Sequence, residues 1–183
     1  MMIYIIIGIV VVLLILYFVS TYNTFVRLKN TVEEAFSTMD VYLKQRWDLI
    51  PNIVETVKGY AKHEKSTLEE VIKLRNTAYD QMSPDEKLEA NKSLSQGITK
   101  IMALAESYPD LKANENFKDL SQQLTKVEAD IANARKYYNA VVRKFNDKVE
   151  MFPSNIVGKL FHFKGEKMFE IQEAERENVK VEF

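Results

Sequence analysis

The chain has no cysteine, and its 183 residues include only five glycines and four prolines. Without cysteine, the protein has no disulfides, no thiolate metal ligands and no thiol nucleophile. Few glycines and prolines favour long helices over a turn-rich β fold. The 25 basic residues are matched by 26 acidic ones, so the chain lacks the basic surplus that binding of phosphate backbones requires. We therefore expect no nucleic-acid partner.

The first segment is a long apolar run. Charged side chains are absent before Arg27, and Met2 to Val19 are apolar or aromatic apart from one glycine. As a helix this run would be about 27 Å long, close to the roughly 30 Å hydrocarbon core of a bilayer. A cleaved signal peptide would need a basic start and a small-residue cleavage site, and neither is present. We predict a retained transmembrane anchor over residues 1–21, represented by Met2, Ile7, Val12, Leu16 and Val19.

Basic residues flank the anchor on one side only. Arg27, Lys29, Lys44 and Arg46 follow the run, and no lysine or arginine precedes it. The positive-inside rule then predicts a single-pass protein of the cell membrane with its long C-terminal part in the cytoplasm. The opposite orientation, periplasmic or extracellular, stays open.

Residues 22–152 show the apolar periodicity of packed helices. Apolar side chains recur at alternating spacings of three and four, first from Phe25 onwards and again from Phe117 to Phe145. This pattern predicts an all-α fold in which the transmembrane helix is followed by a long antiparallel four-helix bundle. Within it, Ser83, Pro84 and Glu86 have the spacing of a helix start with a capping box, and YPDLKANE is expected to be a connection.

The stretch WDLIPNIVETVKGYAKHE, residues 47–64, could form either a bend in a helix or a functional site. Pro51 either begins a new helix or kinks a long one, and we favour a break between Trp47 and Pro51. Gly59 is expected to admit a close helix crossing. Trp47 is expected to pack in the core, with a partner anchor as the alternative.

Few residues in the sequence suggest chemistry. Asp40, Lys44, Asp48 and Asn52 form a ladder four residues apart that suits ion pairs on one helix face; a paired-carboxylate site is the alternative. His63 lacks the second histidine of a zinc-binding helix, and no Glu-x-x-His pair supports a di-metal bundle. We therefore expect no cofactor, no metal and no enzymatic activity.

The tail, residues 153–183, mixes aromatic and basic side chains after Pro153. Two interpretations are open: the tail closes one end of the bundle, or it enters the bilayer interface. The candidate interface residues include one that directly precedes the tail: Phe152, Leu160, Phe161, Phe163, Lys159 and Lys164.

From about Tyr22 to its end the sequence resembles a known family. The segments that carry the resemblance are RLKNTVEEAFSTMDVYLKQRWDLIPNIVETVKGYAKHE, ALAESYPDLKANENFKDLSQQL, ARKYYNAVVRKFN and FPSNIVGKLFHFK. They resemble the LemA family. The resemblance implies a bacterial membrane protein with one N-terminal span and a long antiparallel helical bundle, and it transfers no catalytic residue. Proteins of magnetosome membranes are similar to the family, which implies a role in membrane organisation.

These observations predict a membrane-anchored interaction scaffold of the bacterial envelope. Its expected partners are the lipid bilayer, further copies of itself and an envelope protein. The alternative from a different class is a coat that remodels membranes through its tail. A metal protein using Asp40, Asp48 or His63 is the remaining alternative.

Overall fold

A computed structural model describes the chain over residues 1–61, 68–69, 71–73 and 79–169. The described residues contain helices and no strand, which confirms the all-α prediction. The elements are α1 (Met2–Tyr60), a 3-10 turn (Tyr79–Gln81), α2 (Pro84–Glu106), α3 (Pro109–Ala113), α4 (Glu115–Glu150) and α5 (Ser154–Leu160). Residues 68–69 and 71–73 are also helical. His63 and the polar end from residue 170 lie outside the described residues.

The first helix continues through Pro51 to Tyr60, so the break favoured between Trp47 and Pro51 is wrong. A proline in a helix removes one backbone hydrogen bond and costs about 3 kcal/mol. Buried apolar side chains on both sides of it, Ile50 and Ile53, offset this because each stabilises the helix by roughly 1.5–3 kcal/mol when buried. Trp47 is buried against Tyr79, with ring centroids 5.1 Å apart, which confirms core packing.

None of the described residues makes the close helix crossing that was predicted at Gly59. A Cβ at this position would have no atom of the described residues within 4 Å. The glycine is exposed near the end of α1. Its small size is therefore not required by any contact in the described part of the chain.

The later helices follow their sequence signals closely. The Ser83 side chain accepts a hydrogen bond from the backbone of Glu86, and the Glu86 carboxylate accepts one from the backbone of Ser83. Hydrogen bonds from Ser83 lower the pKa of Glu86. The predicted connection YPDLKANE contains a short helix, α3, because Pro109 suits a first helical position. Helix α4 begins just before Phe117 and ends just before Pro153, as its periodicity indicated.

The chain divides into two compact units. The first joins Met1–Ala35 to Tyr137–Phe183, and the second is Phe36–Lys136. We name them only from the predicted anchor: the first, which contains the apolar run, is the membrane-proximal unit, and the second is the distal unit. Helices α1 and α4 each contribute residues to both units. Buried side chains of the membrane-proximal unit include Phe25, Phe145 and Val157, and those of the distal unit include Met39, Leu43 and Leu94.

Candidate functional site

A buried arginine lies at the centre of the distal unit. Arg46 occupies a core position of α1, and only 2% of its surface is exposed. Its Nη2 donates to the backbone carbonyl and the side-chain Oδ1 of Asn91, both at 2.9 Å. Its Nη1 donates to Ser95 Oγ at 2.9 Å and to Glu128 Oε1 at 2.8 Å. One cation thus links α1 to α2 and α4.

A second group of polar side chains adjoins the first through Asn91. Tyr79 donates its hydroxyl to Asp40 at 2.8 Å and accepts a hydrogen bond from Asn91 Nδ2 at 3.3 Å. Lys87 pairs with the other Asp40 oxygen at 2.6 Å, and its ammonium lies 4.9 Å from the centre of the Tyr79 ring. We call the seven side chains of both groups the polar lock: Asp40, Arg46, Tyr79, Lys87, Asn91, Ser95 and Glu128.

The phenol of Tyr79 is held in its protonated form within the polar lock. Burial, reinforced by the hydrogen bond to Asp40, raises the pKa of Tyr79 above its ordinary value. The phenol therefore stays protonated at neutral pH and is poorly suited to act as a base. Buried polar groups that bond to one another in this way limit which helices can pair and at what register.

The Tyr79 hydroxyl gives the protein an expected alkaline sensitivity. An unfolded tyrosine has a pKa of about 10, and the folded value is higher, so stability is complete below about pH 10 and falls as pH rises above it. Tyr79→Phe removes this contribution and costs about 1–2 kcal/mol at neutral pH, because Asp40 and Asn91 lose a partner.

Urea denaturation at neutral pH and at about pH 11 checks this expectation. The difference in unfolding free energy between wild type and Tyr79→Phe should shrink at the higher pH. Tyr137→Phe, at an exposed position, controls for the loss of a tyrosine. An unchanged difference across the pH range would contradict the assigned role of the hydroxyl.

The predicted ladder on α1 is divided in the structure. Lys44 and Asp48 form the expected i,i+4 ion pair at 2.7 Å. Asp40 instead belongs to the polar lock, and the Asn52 backbone carbonyl accepts from the Thr56 hydroxyl. The paired-carboxylate alternative gains no support, because Asp40 and Asp48 bind different partners. Among the described residues no group of three or more metal-ligating side chains occurs.

An open groove of about 510 Å³ lies between α1 and α4 in the distal unit. Its lining includes two carboxylates, Asp48 and Asp130, together with Lys126. None of the described residues that line it is a histidine, and the chain has no cysteine. One of these carboxylates, Asp48, is already paired with Lys44 on the same helix.

The predicted anchor residues are not packed against other parts of the described chain. Met2, Ile7, Val12, Leu16 and Val19 are all exposed, and the first buried residue of α1 is Thr21. Among the described residues, α1 is the one helix long and apolar enough to cross a membrane. Its apolar run ends where other elements of the membrane-proximal unit begin to cover the helix.

The described tail packs on the membrane-proximal unit. Phe163 stacks on Phe25, with ring centroids 4.7 Å apart and planes 11° from parallel. Backbone groups of residues 166–169 then bond to side chains of α4: Asn146 with Glu166, Tyr138 with Lys167, and Asn139 with Phe169. Phe163 is half-buried.

The other candidate tail residues lie on the surface. Lys159 and Lys164 are exposed, as are Phe152, Leu160 and Phe161. Phe161 also contacts Tyr22, at 4.6 Å between ring centroids. The tail residues named from the sequence thus divide into one that packs and five that face outward.

Helix α5 ends in a Schellman motif. Phe163 N–H donates to the Gly158 carbonyl and His162 N–H to the Lys159 carbonyl, the two bonds that define the motif. His162 has a φ of 59°, in the left-handed region. The motif directs the chain back so that Phe163 reaches Phe25.

Replacing His162 with glycine should stabilise this turn. The Cβ of an L residue in the left-handed conformation costs about 1 kcal/mol, and glycine avoids the cost. We expect His162→Gly to raise the unfolding free energy by about 0.5–1 kcal/mol, measured by thermal denaturation. His162→Ala keeps the Cβ and should give no gain; equal stability of the two variants would contradict this explanation.

Sequence reasoning missed most of the polar lock. Arg46 stood in the apolar periodicity of α1, and Asn91 lies on the buried face of α2 beside Leu94 and Ile98. The sequence did contain a signal for this cluster: a charged or amide side chain at a position that the apolar spacing assigns to the core. Its partners come from distant parts of the chain, so neither Tyr79 nor Glu128 could be paired with them in advance.

Comparisons with known proteins identify the family of the chain. The sequence profile of the LemA family matches residues 35–183. A protein named LemA from Metamycoplasma hominis is 27% identical over 166 residues, covering 88% of this chain and 74% of the relative. Magnetosome protein MamQ 2 of Paramagnetospirillum magneticum is 22% identical over 175 residues, covering 81% of this chain and 64% of its own length. The chain thus spans somewhat less than two thirds of that magnetosome protein. This chain belongs to the LemA family.

Proposed function

We propose that the chain is a single-pass, membrane-anchored scaffold or adaptor of the bacterial envelope that associates with itself and has no catalytic activity of its own. The observation that carries the proposal is the continuity of α1. One helix begins with apolar residues exposed around its whole circumference and continues into core positions of the distal unit. A helix apolar on every side needs a hydrocarbon environment, so the first part supports anchoring in a bilayer.

An antiparallel four-helix bundle is part of the proposal. In the distal unit Arg46 binds Glu128, and Tyr60 accepts a hydrogen bond from Asn114. From Arg46 to Tyr60 the chain advances along α1, and over the same number of residues the partner moves back from Glu128 to Asn114. This register supports an antiparallel course of α1 and the chain leading into α4.

The absence of catalysis is proposed from the chemistry of the polar lock. Its arginine, lysine and carboxylates are engaged with one another, and the phenol of Tyr79 has a raised pKa. Groups held in mutual hydrogen bonds stabilise the packing of helices. A scaffold needs that rigidity, and no substrate is required to explain the residues.

The proposed orientation places both units in the cytoplasm. Arg27 and Lys29 directly follow the span, where basic residues have the greatest influence on orientation. The similarity to magnetosome proteins supports a role in organising membranes. Self-association, or recruitment of an envelope protein, would occur on exposed faces of the distal unit.

The assembly state of the purified protein tests the proposal. The full-length chain in mild detergent is compared by mass measurement and particle imaging with a chain that starts at Tyr22. We expect a defined oligomer for the full-length chain and smaller species for the truncated one. Monomers of both, together with no captured neighbour after crosslinking in membranes, would contradict self-association and scaffolding.

Membrane remodelling is the second candidate function. It is favoured by the exposed apolar side chains of the tail region, such as Phe152 and Leu160. Electron microscopy of vesicles carrying increasing amounts of the full-length protein tests it. Tubes or regular coats would support remodelling, and unchanged spherical vesicles at high protein density would exclude it.

A further inference from the structure

The segment between α4 and the described tail exposes an unusual number of large apolar side chains. We call residues 151–161, which include α5, the corner segment. Its exposed apolar residues range from 48% to 78% exposure: Met151, Phe152, Ile156, Leu160 and Phe161. Soluble surfaces rarely gather so many, and such patches mark contact sites for proteins, ligands or membranes.

Helix α5 is apolar on two faces. Val157 and Gly158 are buried, and a Cβ at Gly158 would lie 3.3 Å from the Phe25 ring. Ile156 and Leu160 are four residues apart and exposed, so they share the outer face. The protein itself covers the inner face, which leaves the outer face without a partner among the described residues.

The corner segment packs beside α1 just after the apolar run, and this location indicates that its partner is the bilayer. Phe161 contacts Tyr22, 4.6 Å away between ring centroids. Tyr22 lies three residues, or about 5 Å, beyond Val19, the end of the apolar run. The headgroup layer on each side of the hydrocarbon core is itself roughly 5–8 Å thick. If α1 spans the bilayer, Phe161 lies at the depth of that layer.

The charge of the segment suits a lipid surface. Residues 151–165 contain Lys159, His162 and Lys164 and no aspartate or glutamate. Both lysines are exposed. Lysines beside apolar side chains are typical of elements that lie in the interface, where the ammonium groups meet anionic headgroups.

We propose that the corner segment is a second membrane-contact site: its outer face lies in the headgroup and upper acyl layer of the same bilayer that α1 spans. Phe152, Ile156 and Leu160 enter this layer. Lys159, together with Lys164 just after the segment, binds anionic lipid headgroups. Phe163 does not enter, because it stacks on Phe25. The site gives the protein two attachments to one bilayer, and the inference rests on the proposed anchoring by α1.

Single introduced cysteines can test the site without background labelling, because the chain has none. Leu160→Cys and Phe152→Cys replace exposed side chains and report on the corner segment. Leu16→Cys reports on the span. Tyr137→Cys is the matched water-facing control: its aromatic side chain is also exposed, and it lies about 20 Å along α4 from Glu150.

Each full-length variant is labelled with a nitroxide and reconstituted into vesicles of phosphatidylcholine and phosphatidylglycerol. Collision rates are measured with oxygen, which concentrates in lipid, and with a water-soluble nickel complex. At positions 160 and 152 we expect nickel collisions several-fold lower than at Tyr137 and oxygen collisions higher. The corresponding depth should be about 5–10 Å below the phosphates, the depth of interfacial helices.

Three results would overturn the inference. Nickel collisions at positions 160 and 152 equal to those at Tyr137 would place the corner segment in water. Shielding from both reagents, with spin–spin broadening that disappears on dilution with unlabelled protein, would show that a second copy covers it. A water-exposed label at Leu16 would show that α1 does not span the bilayer, a failure of the anchoring itself.

Discussion

Replacing Arg46 with alanine is expected to lower the unfolding free energy by about 3–5 kcal/mol, because it leaves a buried amide oxygen without its donor and a cavity in the core. The guanidinium fills a position that is 2% exposed and bonds to groups on α2 and α4. Without it, the side-chain oxygen of Asn91 loses its donor inside the protein, whereas the backbone carbonyl keeps the hydrogen bond from Ser95 Oγ. Glu128 is 41% exposed and can be solvated, so most of the cost falls at Asn91.

Urea denaturation followed by the fluorescence of Trp47 measures this effect. Trp47 is the only tryptophan in the chain and is buried in the distal unit. Lys44→Ala is the matched control, because Lys44 lies on the same helix in an exposed i,i+4 pair worth about 0.5 kcal/mol or less. Equal losses of unfolding free energy in Arg46→Ala and Lys44→Ala would contradict the role of Arg46 in holding α1 to α2 and α4.

A paired substitution separates lost packing from lost hydrogen bonds. Arg46→Met combined with Asn91→Leu replaces both partners with apolar side chains of similar length. Such exchanges can be nearly neutral, so the double variant should recover part of the stability lost in Arg46→Met alone, reduced by the loss of the Asn91–Tyr79 hydrogen bond. Such a recovery would identify the unpaired amide as the source of the loss.

Replacing Phe25 with alanine is expected to have an effect of similar size, about 3–5 kcal/mol, in the membrane-proximal unit. Its ring is fully buried, stacks on Phe163, and meets the Phe145 ring edge-on with centroids 6.2 Å apart. The substitution leaves a cavity at the point where α1, α4, α5 and the tail meet. Phe163 and the backbone bonds of residues 166–169 then lose their support.

Hydrogen exchange of the full-length protein measures this loss locally. Peptides from residues 138–169 should exchange much faster in Phe25→Ala than in wild type. Phe152→Ala is the same substitution at a side chain that is 78% exposed, and it should change stability by less than about 0.5 kcal/mol. Similar exchange in both variants would contradict the division of the tail aromatics into packed and outward-facing ones.

Phe152 and Phe163 show what could not be predicted from the sequence. Both Phe152 and Phe163 were named as one interface, because composition alone does not distinguish them. The structure separates them through the Schellman turn at His162, which directs Phe163 onto Phe25. That turn uses a left-handed histidine, for which the sequence carries only a weak signal.

Elements determined by local sequence were predicted well. The repeated spacing of apolar residues gave α4, and Ser83 with Glu86 gave the start of α2. Elements decided by tertiary contacts were not. The helix continues through Pro51 because buried neighbours offset a local penalty, and Asp40 pairs with Tyr79 and Lys87, which follow it by 39 and 47 residues in sequence.

Subunit counting in membranes is the direct test of whether this membrane scaffold associates with itself. The full-length chain, carrying one fluorophore per copy, is placed in bacterial membrane vesicles at low density, and the bleaching steps of each spot are counted. We expect a narrow distribution of several steps for the full-length chain. Spots that bleach in a single step would contradict self-association in the membrane.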